Sequence, residues 1–281
     1  MAFVRVRDLL EEAKKQNTSV IAFDALDYNT ICSCIRGAEI TRRPVIIMLY
    51  PGMREIISFR SFAAIVKDLA QKASVPVALH LDHCTNYDLL MQAIEDGFTS
   101  VMADGSTLSY EDNVRFTRSV VQAAREKGVD VEGELGHVGQ VAAGDVYTDE
   151  SGFTLPEEAA SFAEETGVTS LAVAIGSCHG MYKAEPKLAL DRLQEIRRAT
   201  GVPLVLHGGS GIPEDQLEKA FRMGINKFNV ATEYLILYEQ LQHTFYTEQY
   251  GKVSPFEKYK VVRSGLEEYI ARKLQLCTMK V

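Results

Sequence analysis

The sequence has no run of about 20 apolar residues, the length a membrane-spanning helix needs, so no such span is expected. It also lacks a basic surplus. Lys and Arg number 30 against 38 Asp and Glu, a net charge of −8. A chain without excess cations has little with which to neutralise a nucleic-acid backbone; a local cationic pocket for one phosphate stays open. Cysteines are few, and five is an odd number without framework spacing. That argues for reduced thiols and a cytoplasmic setting. Cys32 and Cys34 stand two apart in a helical stretch and point in different directions, which speaks against a metal clip. The region from Met1 to Lys15 reads as an amphipathic helix rather than a signal peptide. There is no low-complexity segment, no interdomain linker and no Gly-x-Gly-x-x-Gly after the first strand, which removes the main sequence support for an open dinucleotide-binding sheet.

What is present is a regular alternation. In 281 residues, 46% apolar and 24% charged, there is enough apolar surface for one large core. Strands are predicted at Ser19–Ala25, Val45–Tyr50, from Val77, and at Ser100–Ala103. Four more follow at Val129–Gly133, Leu171–Gly176, Val202–Leu206 and Lys227–Val230. Between them lie helical periodicities at Thr30–Thr41, Phe59–Ala73, Asp88–Asp96, Asn113–Lys127, Pro156–Thr166, Leu188–Thr200 and Pro213–Met223. A first helix at Val4–Lys15 and further helices after Thr232 complete the pattern. Eight strand–helix alternations imply a parallel sheet. At this length they point to an α/β fold, a closed (β/α)8 TIM barrel, formed by one domain over residues 1–281 with extra terminal helices.

Nearly every polar surprise falls where a predicted strand ends: Asp82, His83, Asp104, Glu134, His179, His207 and Asn229. In a barrel those ends converge on one mouth, so residues remote in sequence become neighbours. A strand alternates its side chains, so His80 and Asp82 share a face while His83 starts the loop. Three imidazoles, His83, His179 and His207, suit a Zn2+ site that keeps open positions for substrate. Any one of them alone could equally be a hydrogen-bonded structural histidine. Asp82, beside His83, can either move a proton on a substrate hydroxyl or hold His83 in one tautomer. Asp104 and Glu134 offer either a second metal position or carboxylates that orient the ligands, and spacing does not separate the two. His80 reads as a packing or ligand-orienting residue, His137 as a loop residue, and His243 as surface or interface.

His207-Gly208-Gly209-Ser210-Gly211 and Asn229-Val230-Ala231-Thr232 follow the last two strands. Barrels often bind phosphate there through backbone N–H groups and a helix N-terminus. A Lewis acid, a neighbouring carboxylate and a phosphate cradle together suit retro-aldol chemistry, in which the metal polarises a ketone and stabilises the enediolate.

The stretches Val77–Cys84, Ser100–Ser106, Val131–Gly136, Ala172–Tyr182, Val202–Gly211 and Lys227–Glu233 together resemble the class II, zinc-dependent ketose-bisphosphate aldolases. The resemblance implies zinc ligands at His83, His179 and His207, with Asp82 as the acid/base at the cleaved bond. It implies that Gly180, Gly208, Gly209, Ser210, Asn229, Val230, Ala231 and Thr232 hold the dihydroxyacetone phosphate half, and that Asp104 and Glu134 occupy a second metal position. It also implies a fructose- or tagatose-1,6-bisphosphate-like substrate, a homodimer or homotetramer, and in some members a Na+ or K+ near the phosphate. The chain departs from the pattern in three places. Ala142 stands where a loop acid is usual, with Asp145, Asp149 and Glu150 nearby. Asp24 stands where Asn is frequent, and Lys258, Arg263 and Arg272 do not match residues that read a distal phosphate.

Three other readings use the same residues. A different phosphorylated keto-sugar or keto-acid, such as 5-dehydro-2-deoxyphosphogluconate, would use the same aldolase site. A catalytically silent barrel serving as a partner subunit would keep the fold and lose ligands, and here all three histidines remain. A Schiff-base enzyme would need a lysine at a strand's C-terminal end; Lys227 is at the wrong end and Lys183 is only a loop candidate.

Overall fold

The computed structural model describes residues 2–136, 138–139, 152–180, 182 and 185–279. Eight parallel strands close into a barrel in sequence order. They are β1 (Val20–Asp24), β2 (Val45–Leu49), β3 (Val77–Cys84), β4 (Ser100–Ala103), β5 (Asp130–Leu135), β6 (Ser170–Val173), β7 (Leu204–Leu206) and β8 (Ile225–Val230). Pairing of Ala22 with Asn229 and of Val20 with Lys227 seals β8 against β1.

Helices return the chain from each strand to the next: α1 (Val6–Lys15) before β1, then α2 (Tyr28–Thr41), α3 (Phe59–Lys72), α4 (Tyr87–Asp96) and α5 (Tyr110–Glu126). After β5 come α6 (Pro156–Thr166), α7 (Leu190–Ala199) and α8 (Glu214–Met223), with α9 (Thr232–Glu248) and α10 (Pro255–Leu274) beyond β8. The expected eight alternations and extra terminal helices are therefore present. Ends shift by one to three residues, mostly where a polar residue begins or ends an element. Asp27 forms a capping box with Thr30, so α2 begins two residues before the predicted Thr30. Ser109 caps α5, which starts at Tyr110 instead of Asn113.

Strand alternation sorts the core into two regions. Outward residues such as Ile21, Phe23, Ile47, Leu79, Val101 and Phe228 pack with the helices into one large cluster. Inward residues Ala22, Ile46, Met48 and Ala78 meet Val6, Leu9, Leu10 and Ala13 of α1. Thus α1 plugs the N-terminal end of the barrel. Inward Met102, Ala172 and Val205 fill the far wall. Above this apolar floor the interior turns polar, with His80, Glu132 and Lys227 all at 0% exposure. The site therefore stands on a closed base, at the C-terminal ends of the strands. Among the described residues no helix is long and apolar enough to cross a membrane.

Candidate active site

The C-terminal ends of the strands surround a cavity of about 540 Å3. Asp82 and His83 are sequence neighbours, yet both line it. The sequence places His83 at the start of a loop; the structure keeps it inside β3, which runs to Cys84. The pairing of β3 with β4 skips between Leu81 and Cys84. His83 takes a positive φ of 38° in that bulge, and its N–H points at Met102 Sδ, 3.4 Å away. A bulge re-aims a side chain, which is how adjacent residues serve one mouth.

The three predicted imidazoles converge. Ring centroids lie 4.5 Å apart for His83 and His207, 4.7 Å for His83 and His179. One nitrogen from each ring lies within 4.8 Å of the others, in a geometry able to hold a metal ion. Carboxylates set the tautomers. His83 Nδ1 is 2.8 Å from Asp104 Oδ2, and His207 Nε2 is 2.8 Å from Glu132 Oε1. With each carboxylate accepting an N–H, His83 Nε2 and His207 Nδ1 face each other at 2.8 Å. A proton or a metal ion between the two nitrogens satisfies both. His179 Nε2 is buried without a hydrogen-bond partner, as a third ligand awaiting the same cation would be. The residues fit a divalent ion that accepts imidazole nitrogen.

Electrostatics agree with the geometry. Burial alone would lower the pKa of His83, but the Asp82 charge, the Asp104 hydrogen bond and Glu134 outweigh it and push it up to about 10. The position thus attracts a proton or a metal. Burial, reinforced by the charge of His83, brings His179 down to about 4 and His207 well below its ordinary value. Both stay neutral, as ligands must. Asp82 is buried, yet the charges of His83, His207 and Lys227 hold its pKa below the usual value. Its Oδ1 accepts from Asn229 Nδ2 at 3.0 Å. Burial drives Asp24 the other way, well above the usual range, and the hydrogen-bonded Asp82 adds to that rise.

The remaining predicted residues divide. Asp104 and Glu134 gather with His83 as a second group able to hold a metal, with Glu134 Oε2 3.8 Å from His83 Nδ1. Burial raises Glu134 to about 8. Gly180, Ala231 and Thr232 line the cavity. Gly208, Gly209 and Ser210 do not; they build the support. Gly208, at φ 67°, sits so close to the backbone of Cys178 that a Cβ would overlap it. Ser210 Oγ accepts from the Glu233 N–H at 3.2 Å, tying that loop to the start of α9. The Val230 side chain packs into the outer core, leaving only its backbone for a ligand.

His80 bonds Ser100 Oγ at 2.7 Å below the site, in the packing role expected of it. Lys227 is fully buried and ion-paired, which leaves no free amine for a Schiff base there. Lys258 and Arg263 bond Tyr246 and Asn29, and Arg272 lies over the ring of Tyr269. None of the three lines the cavity. His137, Ala142, Asp145, Asp149, Glu150 and Lys183 lie outside the described residues. Glu132, which orients His207, was not anticipated; its signal is an acid two residues before Glu134 on the same inward face of β5.

Comparison with known proteins gives the family. Residues 4–280 match the family model for fructose-bisphosphate aldolase class-II. The chain belongs to that family and is an aldolase, a carbon–carbon lyase. It is 39% identical to a sulfofructosephosphate aldolase of Alkalicoccus urumqiensis over 85% of this chain and 84% of the relative. It is 40% identical to a fructose-bisphosphate aldolase of Geobacillus stearothermophilus over 83% and 82% of the two chains. Among solved structures it resembles the YdjI aldolase of Escherichia coli K12, with TM-score 0.88 and 32% identity over 98% of this chain and 97% of that one. A putative fructose-1,6-biphosphate aldolase of Coccidioides immitis gives TM-score 0.86 and 29% identity over 97% and 95%.

Proposed function

We propose that this aldolase reversibly cleaves a phosphorylated ketose into dihydroxyacetone phosphate and an aldehyde, with Zn2+ held by His83, His179 and His207. The observation that carries the reading is the convergence of one ring nitrogen each from His83, His179 and His207 within 4.8 Å, beside a buried Asp82 that lines the same cavity. Bound zinc supplies Lewis acidity at the ketone of the substrate.

The chain's own residues do the rest. Asp82 takes the proton from the hydroxyl on the carbon beyond the bond that breaks. That oxygen becomes the aldehyde carbonyl, the bonding electron pair passes to the carbon next to the ketone, and that carbon then takes a proton from water to give dihydroxyacetone phosphate. In the reverse direction Asp82 returns the proton. Asn229 fixes Asp82 through its Oδ1, so the carboxylate is oriented before substrate arrives. Glu132 and Asp104 hold the far nitrogens of His207 and His83, so those rings do not turn away. Gly180, Ala231 and Thr232 face the cavity where the N-terminus of α9 opens; exposed N–H groups there receive the phosphate.

Five buried cysteines, none of them in a disulfide, suit a cytoplasmic setting, and assembly as a homodimer or homotetramer, with a Na+ or K+ near the phosphate, accompanies the proposal. The test is a coupled assay for dihydroxyacetone phosphate over a panel of phosphorylated ketoses. It is run with metal intact, after chelation, and after zinc is returned. Release lost on chelation and restored by zinc is the expected result. Metal-replete protein that releases nothing from any panel member would favour the silent-subunit reading instead.

A further inference from the structure

The N-terminus of α9, assigned above to the phosphate, carries an acid in its first turn. Glu233 directly follows Thr232, which lines the cavity. A carboxylate there stabilises a bare helix, because it meets the positive end of the dipole. Where the same end holds a phosphate, that carboxylate is a competitor. Ala231, at the cap, makes no side-chain hydrogen bond to the helix, so the opening turn is left for a ligand. The charge of Glu233 works against that use.

Lys273 answers it. Its Nζ lies 2.8 Å from Glu233 Oε1, with the lysine side chain 7% exposed and the glutamate 18%. A lysine is seldom so buried unless an acid pairs it. The contact is ionic rather than an aligned hydrogen bond, since Oε1 has no hydrogen-bond partner. Lys273 stands in the last turn of α10, where a cation also suits that helix's own negative end. That role alone would leave the side chain in solvent; it is drawn inward onto α9 instead. A second contact reinforces the grip. Tyr269 lies four residues before Lys273, on the same face of α10, and its ring stacks on Tyr234 with centroids 6.1 Å apart and 20° between planes. Tyr234 follows Glu233, is fully buried and donates to Thr30 O at 2.9 Å. One face of α10 thus fixes two successive residues of α9, while Ser210 holds the Glu233 N–H from the other side.

We infer that Lys273 is a positioning residue for the phosphate grip: by neutralising Glu233 it keeps the first turn of α9 electropositive for the phosphate of the substrate. The inference rests on the phosphate assignment above and adds to it a residue that does not itself line the cavity. The sign of each substitution follows. Without Lys273 the Glu233 carboxylate stands uncompensated beside the phosphate. Without Glu233 one negative charge fewer opposes it.

Titration calorimetry on the zinc-loaded protein makes the test, with dihydroxyacetone phosphate as probe and unphosphorylated dihydroxyacetone as control. Lys273→Met should weaken dihydroxyacetone phosphate binding about 10-fold, the effect of one uncompensated charge close to the ligand. Glu233→Gln should tighten it by a similar factor. Urea melts should nevertheless show both variants destabilised, because each strands the charge of its partner. The double variant should bind as wild type does. Opposite shifts in affinity beside parallel losses of stability are what a purely structural ion pair does not give. Loss of affinity in both single variants overturns the inference, and so does a Glu233→Gln protein whose affinity is unchanged. If Lys273→Met does not fold, Glu233→Gln decides alone: tighter binding supports the inference, and unchanged or weaker binding overturns it. Wild-type protein that binds the phosphorylated and unphosphorylated ketones equally would instead remove the phosphate assignment itself, and the inference with it.

Discussion

Glu132 and Lys227 meet at 2.9 Å inside the barrel, and neither side chain has any exposure to solvent. The other oxygen of Glu132 holds His207 at 2.8 Å. The lysine therefore neutralises the carboxylate that orients a proposed metal ligand. Removing one member of a buried pair strands the other charge and costs about 3–5 kcal/mol. Lys227→Met should lower stability by that amount in urea melts. Glu132→Gln should also weaken zinc binding about 10–100-fold, read by chelator competition. Replacing both should restore part of the stability and none of the zinc affinity. A Glu132→Gln protein with unchanged zinc affinity would show that His207 is held by something else.

Much of this was legible because the barrel turns an abrupt change along each strand into a place. Val77-Ala78-Leu79 is apolar and His80-Leu81-Asp82-His83 is not, and the change marks where the floor ends and the mouth begins. The same logic found His179 and His207. The pairing of Glu132 with Lys227 was missed because Glu132 lies mid-strand, where a charge looks like an exception, and Lys227 reads from sequence as the first residue of a strand that in fact begins at Ile225. They stand two residues before Glu134 and Asn229, however, and period-two alternation puts each pair on the inward face. Opposite charges one layer below the site were thus a readable signal. The bulge that keeps His83 within β3 was not readable. It depends on how β3 registers against β4, which no local pattern states. Nor did the glycines reveal which of them face the cavity and which support it; that depends on packing against Cys178 and Phe228.

Asp82 touches no metal position in the proposed chemistry, so its loss should separate turnover from zinc content. Asp82→Asn is expected to lower kcat by about 10^2–10^4-fold while metal analysis still finds one zinc per chain. His179→Ala should instead lose the zinc along with the activity. An Asp82→Asn enzyme of near wild-type kcat would leave proton transfer to another group.

Gly208 and Gly209 are constrained by different walls. A Cβ on Gly208 would overlap the Cys178 backbone, which cannot yield, and φ is 67° there. A Cβ on Gly209 would overlap the ring of Phe228, a side chain packed in the outer core. Gly208→Ala combines overpacking with a positive-φ penalty and should cost at least about 3 kcal/mol. In Gly209→Ala the ring can give a little, so Gly209→Ala/Phe228→Leu should regain part of the loss where no second change rescues Gly208→Ala. Urea melts of the three variants make the comparison.

Burial pushes two thiols up to about 12, Cys34 against Tyr234 and Cys277 near the C-terminus, from an ordinary value of 9.0. A pKa higher in the folded than in the unfolded chain means that the folded form keeps its proton longer. The stability each thiol contributes is therefore present below pH 9 and is lost as pH climbs toward 12. Between those limits each thiol should cost about 1.4 kcal/mol per pH unit. Cys277→Ala loses some packing, about 1 kcal/mol at neutral pH, but its stability should then fall less steeply than wild type from pH 9.5 to 11. The difference in slope isolates the thiol from every other group titrating in that range, because those are common to both proteins. Parallel curves for the two proteins would mean that the Cys277 thiol ionises as readily folded as unfolded, and that its burial does not exclude the thiolate.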